Sequence, residues 1–383
     1  MRILRCVRSL DPATGGPTES IRQSSVTLAA RGHDVEVITL DAPGSSSLAE
    51  FPATVRAVGP SRGSYGYAPC YVSWLQDRRR DYDGVIVHGL WQYTSFGAWR
   101  ALHRTSTPYF VFPHGMLDPW FNRTYPLKHL KKILYWRWAE YRVLRDAAAV
   151  LFTSEEERRL ARQSFTPYCC NEIVLDYGTA APDVDLTTAR GEFSGAFPGL
   201  HGKRFLLFLG RLHEKKGCDV LIEAFTKLAD ASLRLVIAGP AGDRKYLARL
   251  HQLARVRADA ITFAGMLRGK LKWGALAAAD AFVLPSHQEN FGIAVAEALA
   301  CGTPVLISNQ VNIWRDVINE GAGFADDDNV IGITRLLQRW LETPSTERDR
   351  MRVAARHCFE RRFEISRATD SLLSVLQKFA PSK

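Results

Sequence analysis

Ten short, largely apolar runs punctuate this chain, most of them closed by Gly, Ser or a similar turn residue and followed by a stretch patterned as a helix. RILRCV, DVEVITL, GVIVHG, PYFVFPHG and AAAVLFTS fall in the first half, and RFLLFLG, LRLVIAG, AITFAG, DAFVLPS and TPVLIS in the second. A strand that is apolar along its whole length is buried on both faces, which happens in parallel sheets covered by helices on either side. The alternation therefore predicts an α/β chain made of two Rossmann-like doubly wound domains facing across a cleft. Residues 177–203, YGTAAPDVDLTTARGEFSGAFPGLHGK, are rich in Gly, Pro, Thr and Ala and carry no strand pattern. They divide the chain into a first domain (1–177), a linker (178–203), a second domain (204–360) and a final helix (361–383) that is expected to pack back on the first domain.

A chain of 383 residues that is 46% hydrophobic can bury two cores of ordinary size. No run reaches the roughly 18 apolar residues that a membrane span needs, and the opening MRILRCVRSLDPATGG meets Asp and Gly too early for a signal peptide. The protein is thus expected in the cytoplasm, either free or peripheral on the inner face of the cell membrane. Its seven cysteines form no CxxC pair, which counts against a disulfide scaffold and a zinc site. The net charge of +10 favours anionic partners.

Ligands of such sheets bind beyond the carboxyl ends of the strands, so the informative residues stand just after each apolar run. In the first half these are Gly15-Gly16, His88-Gly89, His114-Gly115 and Thr153-Ser154; in the second, Gly210-Arg211, Gly239-Pro240, Gly265 and Pro285-Ser286. GGPTES (15–20) opens a helix, where glycines permit close backbone approach and helix amides favour an anion. The dinucleotide pattern GxGxxG is absent there, and GAGFAD at 321 lacks the third Gly, which disfavours a nicotinamide enzyme. GRLHEKKG places Arg211 and Lys216 between a strand and a helix, where two cations suit a diphosphate or else form a solvated basic loop.

SHQENFGIAVAEALACGTPV (286–305) poses a sharper question. Its helix is almost wholly Ala, Val, Ile and Leu, yet it carries Glu297, eight positions after Glu289. A charge buried without partners costs several kcal/mol, so either a cation elsewhere in the fold or a ligand must meet Glu297. A ribose diol is one such ligand, and a buried Glu–Arg pair is the alternative. Asn290, Phe291 and Gly292 would supply backbone amides at the helix start.

GRLHEKKG followed by ENFGIAVAEALACGTPV resembles the signature of glycosyltransferase family 4, with its two glutamates eight positions apart, and GGPTES and PHGMLDPW resemble that family's first domain. The resemblance implies a GT-B fold and transfer of a hexose from a nucleotide diphosphate sugar, UDP or GDP, with retained anomeric configuration. It implies that Glu297 holds the ribose hydroxyls, that Arg211 and Lys216 hold the diphosphate, and that Glu289 with the Asn290, Phe291 and Gly292 backbone holds the sugar. Gly15 and Gly16 would approach the phosphate from the acceptor-side domain, and His114 matches the family's histidine near the donor sugar. With no carboxylate obviously placed as a nucleophile, same-face attack assisted by the departing phosphate is expected.

No cofactor is expected, and no metal. Two Asp-x-Asp pairs occur, DYD (81–83) and DVD (183–185), but the first precedes its strand and the second lies in the expected linker. Residues 114–145 depart from simpler members of the family. After His114 come Met116, Asp118 and Trp120, then a segment in which Arg123, Lys128, Lys131, Lys132, Arg137, Arg142 and Arg145 face one acid, Glu140, among five aromatics. That mixture suits an anionic membrane surface, a groove for an acceptor's phosphates, or an exposed basic face over a buried aromatic stripe. Asp118 either orients an acceptor hydroxyl or caps a turn.

The sequence thus points to a retaining transferase that builds surface polysaccharide or glycolipid on a saccharide or lipid-linked acceptor. A sucrose- or trehalose-type synthase with a soluble acceptor is the rival within the class. Outside it stand a non-catalytic lipid-binding module and a nucleic-acid-binding protein. Glu297 beside the basic loop would repel a phosphate backbone, so no nucleic-acid partner is expected.

Overall fold

The computed structural model describes residues 1–11 and 15–380, with nothing described of the Arg123 side chain, so the part of the basic segment assigned to Arg123 lies outside the described residues. The chain forms two compact units, residues 1–178 with 365–383, and residues 179–364.

Among the described residues the first unit holds seven strands: β1 (Arg2–Val7), β2 (Asp34–Thr39), β3 (Thr54–Ala57), β4 (Gly84–His88), β5 (Tyr109–Phe112), β6 (Ala149–Phe152) and β7 (Glu172–Val174). They form one sheet in the order β3-β2-β1-β4-β5-β6-β7, parallel throughout. The second unit holds β8 (Phe205–Leu209), β9 (Arg234–Ala238), β10 (Ile261–Gly265), β11 (Ala281–Leu284), β12 (Val305–Ser308) and β13 (Gly323–Asp326), in the order β10-β9-β8-β11-β12-β13, also parallel. Each order reverses beside the unit's first strand. That switch point opens a crevice at the strand ends.

Neighbouring residues of a strand serve opposite cores. Leu4 and Cys6 of β1 join Val85 and Val87 of β4 in a cluster with Tyr71 and Trp136. Ile3 and Ile86 face the other way, against Leu28, Leu372 and Leu376. The last two come from the final helix, Ile365–Phe379, whose leucines close that face of the first sheet. The helix starts at Ile365 rather than 361, because Phe359–Phe363 continue the preceding helix as a π turn with both phenylalanines buried.

Two further expectations are corrected. The stretch read as a linker is largely a helix, Leu186–Ala196, capped by Asp185 through the Thr188 amide at 2.7 Å and counted with the second unit. Two glycines and two threonines make it a poor helix by propensity, and packing overrides that. Ala189 and Phe193 are buried, and a Cβ on Gly274 of the helix Gly269–Ala278 would lie 2.1 Å from the Ala189 carbonyl oxygen. Three strands, β3, β7 and β13, lay outside the ten apolar runs. Each stands at a sheet edge and is only partly buried, so none shows a continuous apolar run. No helix among the described residues is long and apolar enough to cross a membrane.

Candidate active site

In the second unit, the loops after β8 and β11 converge. Gly217 sits at φ 67°, and a Cβ there would lie 2.3 Å from the Pro285 carbonyl oxygen, so glycine lets the two loops meet. The Lys216 ammonium consequently contacts the Glu289 carboxylate, both half-buried. Burial first, then the charges of Lys215 and Arg211, pull the Lys216 ammonium down to about 7. The carboxylate against it favours the charged form. Arg211 is exposed at the same loop, and among the described residues no ion-pair partner holds it.

Glu289 belongs to a braced loop: its amide donates to Gln310 O at 3.0 Å and its carbonyl accepts from Asn312 N at 3.0 Å. Asn312 Nδ2 donates to Asn290 Oδ1 at 3.3 Å. Phe291 turns its ring inward onto Phe363, which leaves only its backbone for a ligand, and Gly292 at φ 77° caps the helix Ile293–Ala300. His287 ties the two loops together. Its amide donates to Lys215 O at 2.8 Å, and its ring lies 2.6 Å from Asp328, whose hydrogen bond raises the imidazole pKa.

Glu297 is buried, and a cation does meet it. Lys272 Nζ, on the helix Gly269–Ala278, donates to Glu297 Oε1 at 2.7 Å while resting 4.2 Å above the Trp273 ring. The partner is a lysine, not the arginine considered from sequence. No motif marks Lys272, which lies 25 positions earlier in GKLKWGAL.

In the first unit, Gly15 at φ 98° leads into the helix Gly16–Ala30, with Pro17 in its first turn. Near the helix start, a pocket of about 480 Å³ is lined by Arg8, Asp41, His88, Gly89, Gln92 and His114 among others. His114 adopts φ 51°. Its Nε2 lies 3.0 Å from His88 Nδ1, and its ring stacks at 5.4 Å on Phe112. Burial, followed by the nearby Arg5 guanidinium, depresses the His114 imidazole to about 4, and burial, followed by His114 and then Arg5, holds His88 well below the usual histidine range. The pair is therefore neutral at pH 7.

Asp118 Oδ1 accepts the Trp120 amide at 2.8 Å, which closes the turn into the short helix Trp120–Thr124. The Trp120 ring packs on Phe121 and Tyr125. The lysines divide. Lys128 and Lys131 are exposed on the helix Pro126–Tyr135, whereas Lys132 turns inward, 4.5 Å over the Trp91 ring and 5.5 Å over Phe121. Leucines take the outer side: Leu127 is 84% exposed and Leu134 71%, with Leu130 and Trp138 along the same stripe. Glu140, the one acid, is buried, accepts from Trp91 N and Ser95 Oγ at 2.7 Å each, and is pushed up to about 7 by burial.

One aspartate of each Asp-x-Asp pair has a structural task. Asp83 accepts the Arg2 amide at 2.8 Å ahead of β4, and Asp185 caps its helix.

The family described as "Glycosyl transferase 4-like domain" matches residues 15–168, and the one described as "Glycosyl transferases group 1" matches residues 193–357. A GDP-mannose-dependent alpha-(1-6)-phosphatidylinositol dimannoside mannosyltransferase of Mycobacterium tuberculosis is 27% identical, with 100% of this chain and 97% of that protein aligned. Among solved structures, sucrose-phosphate synthase from Thermosynechococcus elongatus superposes with a TM-score of 0.80 at 19% identity, covering 98% of each chain. Anabaena HepE in complex with UDP and glucose gives 0.77 at 18%, covering 98% of this chain and 99% of that one. At those identities the structural likeness speaks for the GT-B fold alone.

Proposed function

This chain belongs to the retaining glycosyltransferases of family 4, and from that membership we propose that it moves a hexose from UDP or GDP to a lipid-linked saccharide in surface polysaccharide or glycolipid assembly. The observation that carries the donor half of this reading is the contact of Lys216 with Glu289, with Arg211 beside them at the mouth of the second sheet. Breaking the bond between sugar and diphosphate places negative charge on the leaving group, and cations already aimed there stabilise the transition state. Arg211 clamps two oxygens and Lys216 acts as a point charge. Glu289, once Lys216 turns to the phosphate, is left to accept the sugar's hydroxyls. Glu297 takes the ribose with Lys272 as its second partner. His114 keeps the role near the sugar that the family resemblance implies. As a neutral imidazole it offers hydrogen bonds without repelling a cationic reacting carbon.

The outward leucine stripe of the helix Pro126–Tyr135, with Lys128 and Lys131 beside it, supports a lipid-linked acceptor. Apolar side chains enter the lipid boundary while ammonium groups meet anionic headgroups. The mycobacterial relative is itself named for a phosphatidylinositol acceptor. A peripheral position on the inner membrane face follows from this reading.

Incubation with UDP-, GDP-, ADP- and dTDP-sugars, followed by detection of nucleotide release and of labelled lipid, tests it. Release from one nucleotide class, raised by bacterial lipid extract, is expected. Turnover on a soluble sugar but never on lipid would return the synthase reading, and no release from any donor would remove the enzyme reading.

A further inference from the structure

The His114 corner is fastened by a carboxylate that the motifs do not include. Glu157, in the helix Glu155–Ala161 after β6, is 3% exposed. Its Oε1 accepts the Gly115 amide at 2.6 Å, and its Oε2 accepts the Thr153 amide and hydroxyl at 2.8 Å each. Three donors make its burial tolerable.

Helix capping does not account for this arrangement. Ser154 is the N-cap, with its Oγ accepting Glu157 N at 3.1 Å, and a glutamate at that third position ordinarily reaches back to the N-cap amide. Glu157 reaches past it, to Thr153 and across to the loop after the neighbouring strand β5. The residue it secures there is Gly115, at φ 73°, directly after His114 at φ 51°. A side chain other than glycine in left-handed backbone costs on the order of 1–3 kcal/mol and persists only where its surroundings hold it. The ring of His114 is held by His88, by Phe112 and by the edge of Tyr177, 6.2 Å away. Its main chain is held through Gly115.

We propose that Glu157 is a positioning residue of the transferase: by binding the Gly115 amide it keeps His114 in the left-handed conformation that sets the imidazole against the first unit's pocket. This rests on the transferase reading for its kinetic consequence but not for its geometric one. Glu157 touches no reacting atom. Its loss leaves nucleotide binding to the second unit and frees the His114 corner.

The test compares Glu157→Ala and Glu157→Gln with Glu36→Gln, which removes an equally buried carboxylate that serves Arg56 and Tyr82 in the same unit. Glu157→Gln keeps the volume and turns an NH₂ toward one of the donors, so it remains informative if the alanine variant does not fold. The first readout is the His114 ring signal in the NMR spectrum of the substrate-free protein, identified by its absence in His114→Gln. The second is kcat against donor KM, measured where each variant is folded. Expected are a displaced His114 signal and a kcat lowered at least tenfold with KM within threefold for the Glu157 variants. Glu36→Gln should lose comparable thermal stability with neither change. An undisplaced His114 signal, or a kcat loss in Glu36→Gln equal to that in the Glu157 variants, overturns the proposal. A displaced signal in a protein that turns over no donor would leave the positioning role intact and remove the transferase reading.

Discussion

Lys272 Nζ lies 2.7 Å from Glu297 Oε1, joining two helices of the second unit through a carboxylate that is buried among Ala, Val and Leu. The helix tolerates its charge because a lysine answers it before any ligand arrives. Breaking such a pair from one side strands the other charge, so Lys272→Met and Glu297→Gln should each cost about 1–3 kcal/mol of stability. The double variant should cost less than the sum of the two. If Glu297 also holds the ribose, Glu297→Gln weakens nucleotide binding, and 2′- and 3′-deoxy nucleotides lose affinity for the wild type but much less for the variant. Calorimetry checks both, and penalties that simply add would assign Glu297 to the ion pair alone.

Arg211→Ala and Lys216→Ala should each lower turnover at least tenfold, since one charge-assisted contact to a transition-state oxyanion is worth on the order of 2–4 kcal/mol. Steady-state kinetics with the cognate donor decide this. Wild-type turnover in the double variant would move the diphosphate elsewhere.

Lys216, held near 7 against its usual 10.5, makes nucleotide binding depend on pH. A bound diphosphate restores the ammonium's charge, so the complex holds more protons than the free protein between about 7 and 10.5, and affinity falls as pH rises through that window. The same shift makes the free protein's stability rise with pH there, because the unfolded chain binds the extra proton. Titration calorimetry at pH 8 in buffers of different ionisation enthalpy should show proton uptake that Lys216→Met abolishes. Uptake unchanged in that variant would assign the proton to another group.

The helix Pro126–Tyr135 should bring the protein to anionic vesicles, with binding that weakens as salt rises. Full burial of a leucine contributes about 1.5–3 kcal/mol, so even partial insertion of three makes Leu127→Ser, Leu130→Ser and Leu134→Ser together lower binding at least tenfold. Lys128→Glu with Lys131→Glu should remove the preference for anionic lipid. Lys132→Glu should instead destabilise the fold, since that lysine rests on Trp91 and Phe121. Flotation and thermal denaturation separate these effects; equal binding by wild type and the triple serine variant would sink the membrane role.

Activity should survive EDTA, because Asp83 and Asp185 are spent on the Arg2 amide and on a helix cap. Turnover lost on chelation and restored by manganese or magnesium would reveal a metal centre.

Ten apolar runs were enough to expect two parallel sheets, because a strand buried on both faces writes its burial into every residue. That Arg211, Lys216, Glu289 and His114 stand on loops after strands was legible for a related reason: strand ends are local features of the sequence. The edge strands β3, β7 and β13 were not, since half-exposed edges keep no apolar continuity. Tertiary structure alone decided the rest. Lys272 reaches Glu297 across 25 positions and Glu157 reaches Gly115 across 42, and no local pattern ranks one lysine or glutamate above another. Leu127, Leu130 and Leu134 form the kind of stripe that normally faces a core; packing of the Lys132 side on Trp91 turns it to solvent instead. Periodicity says that a helix has an apolar face. Which neighbour covers that face is settled by the topology that brings distant segments together.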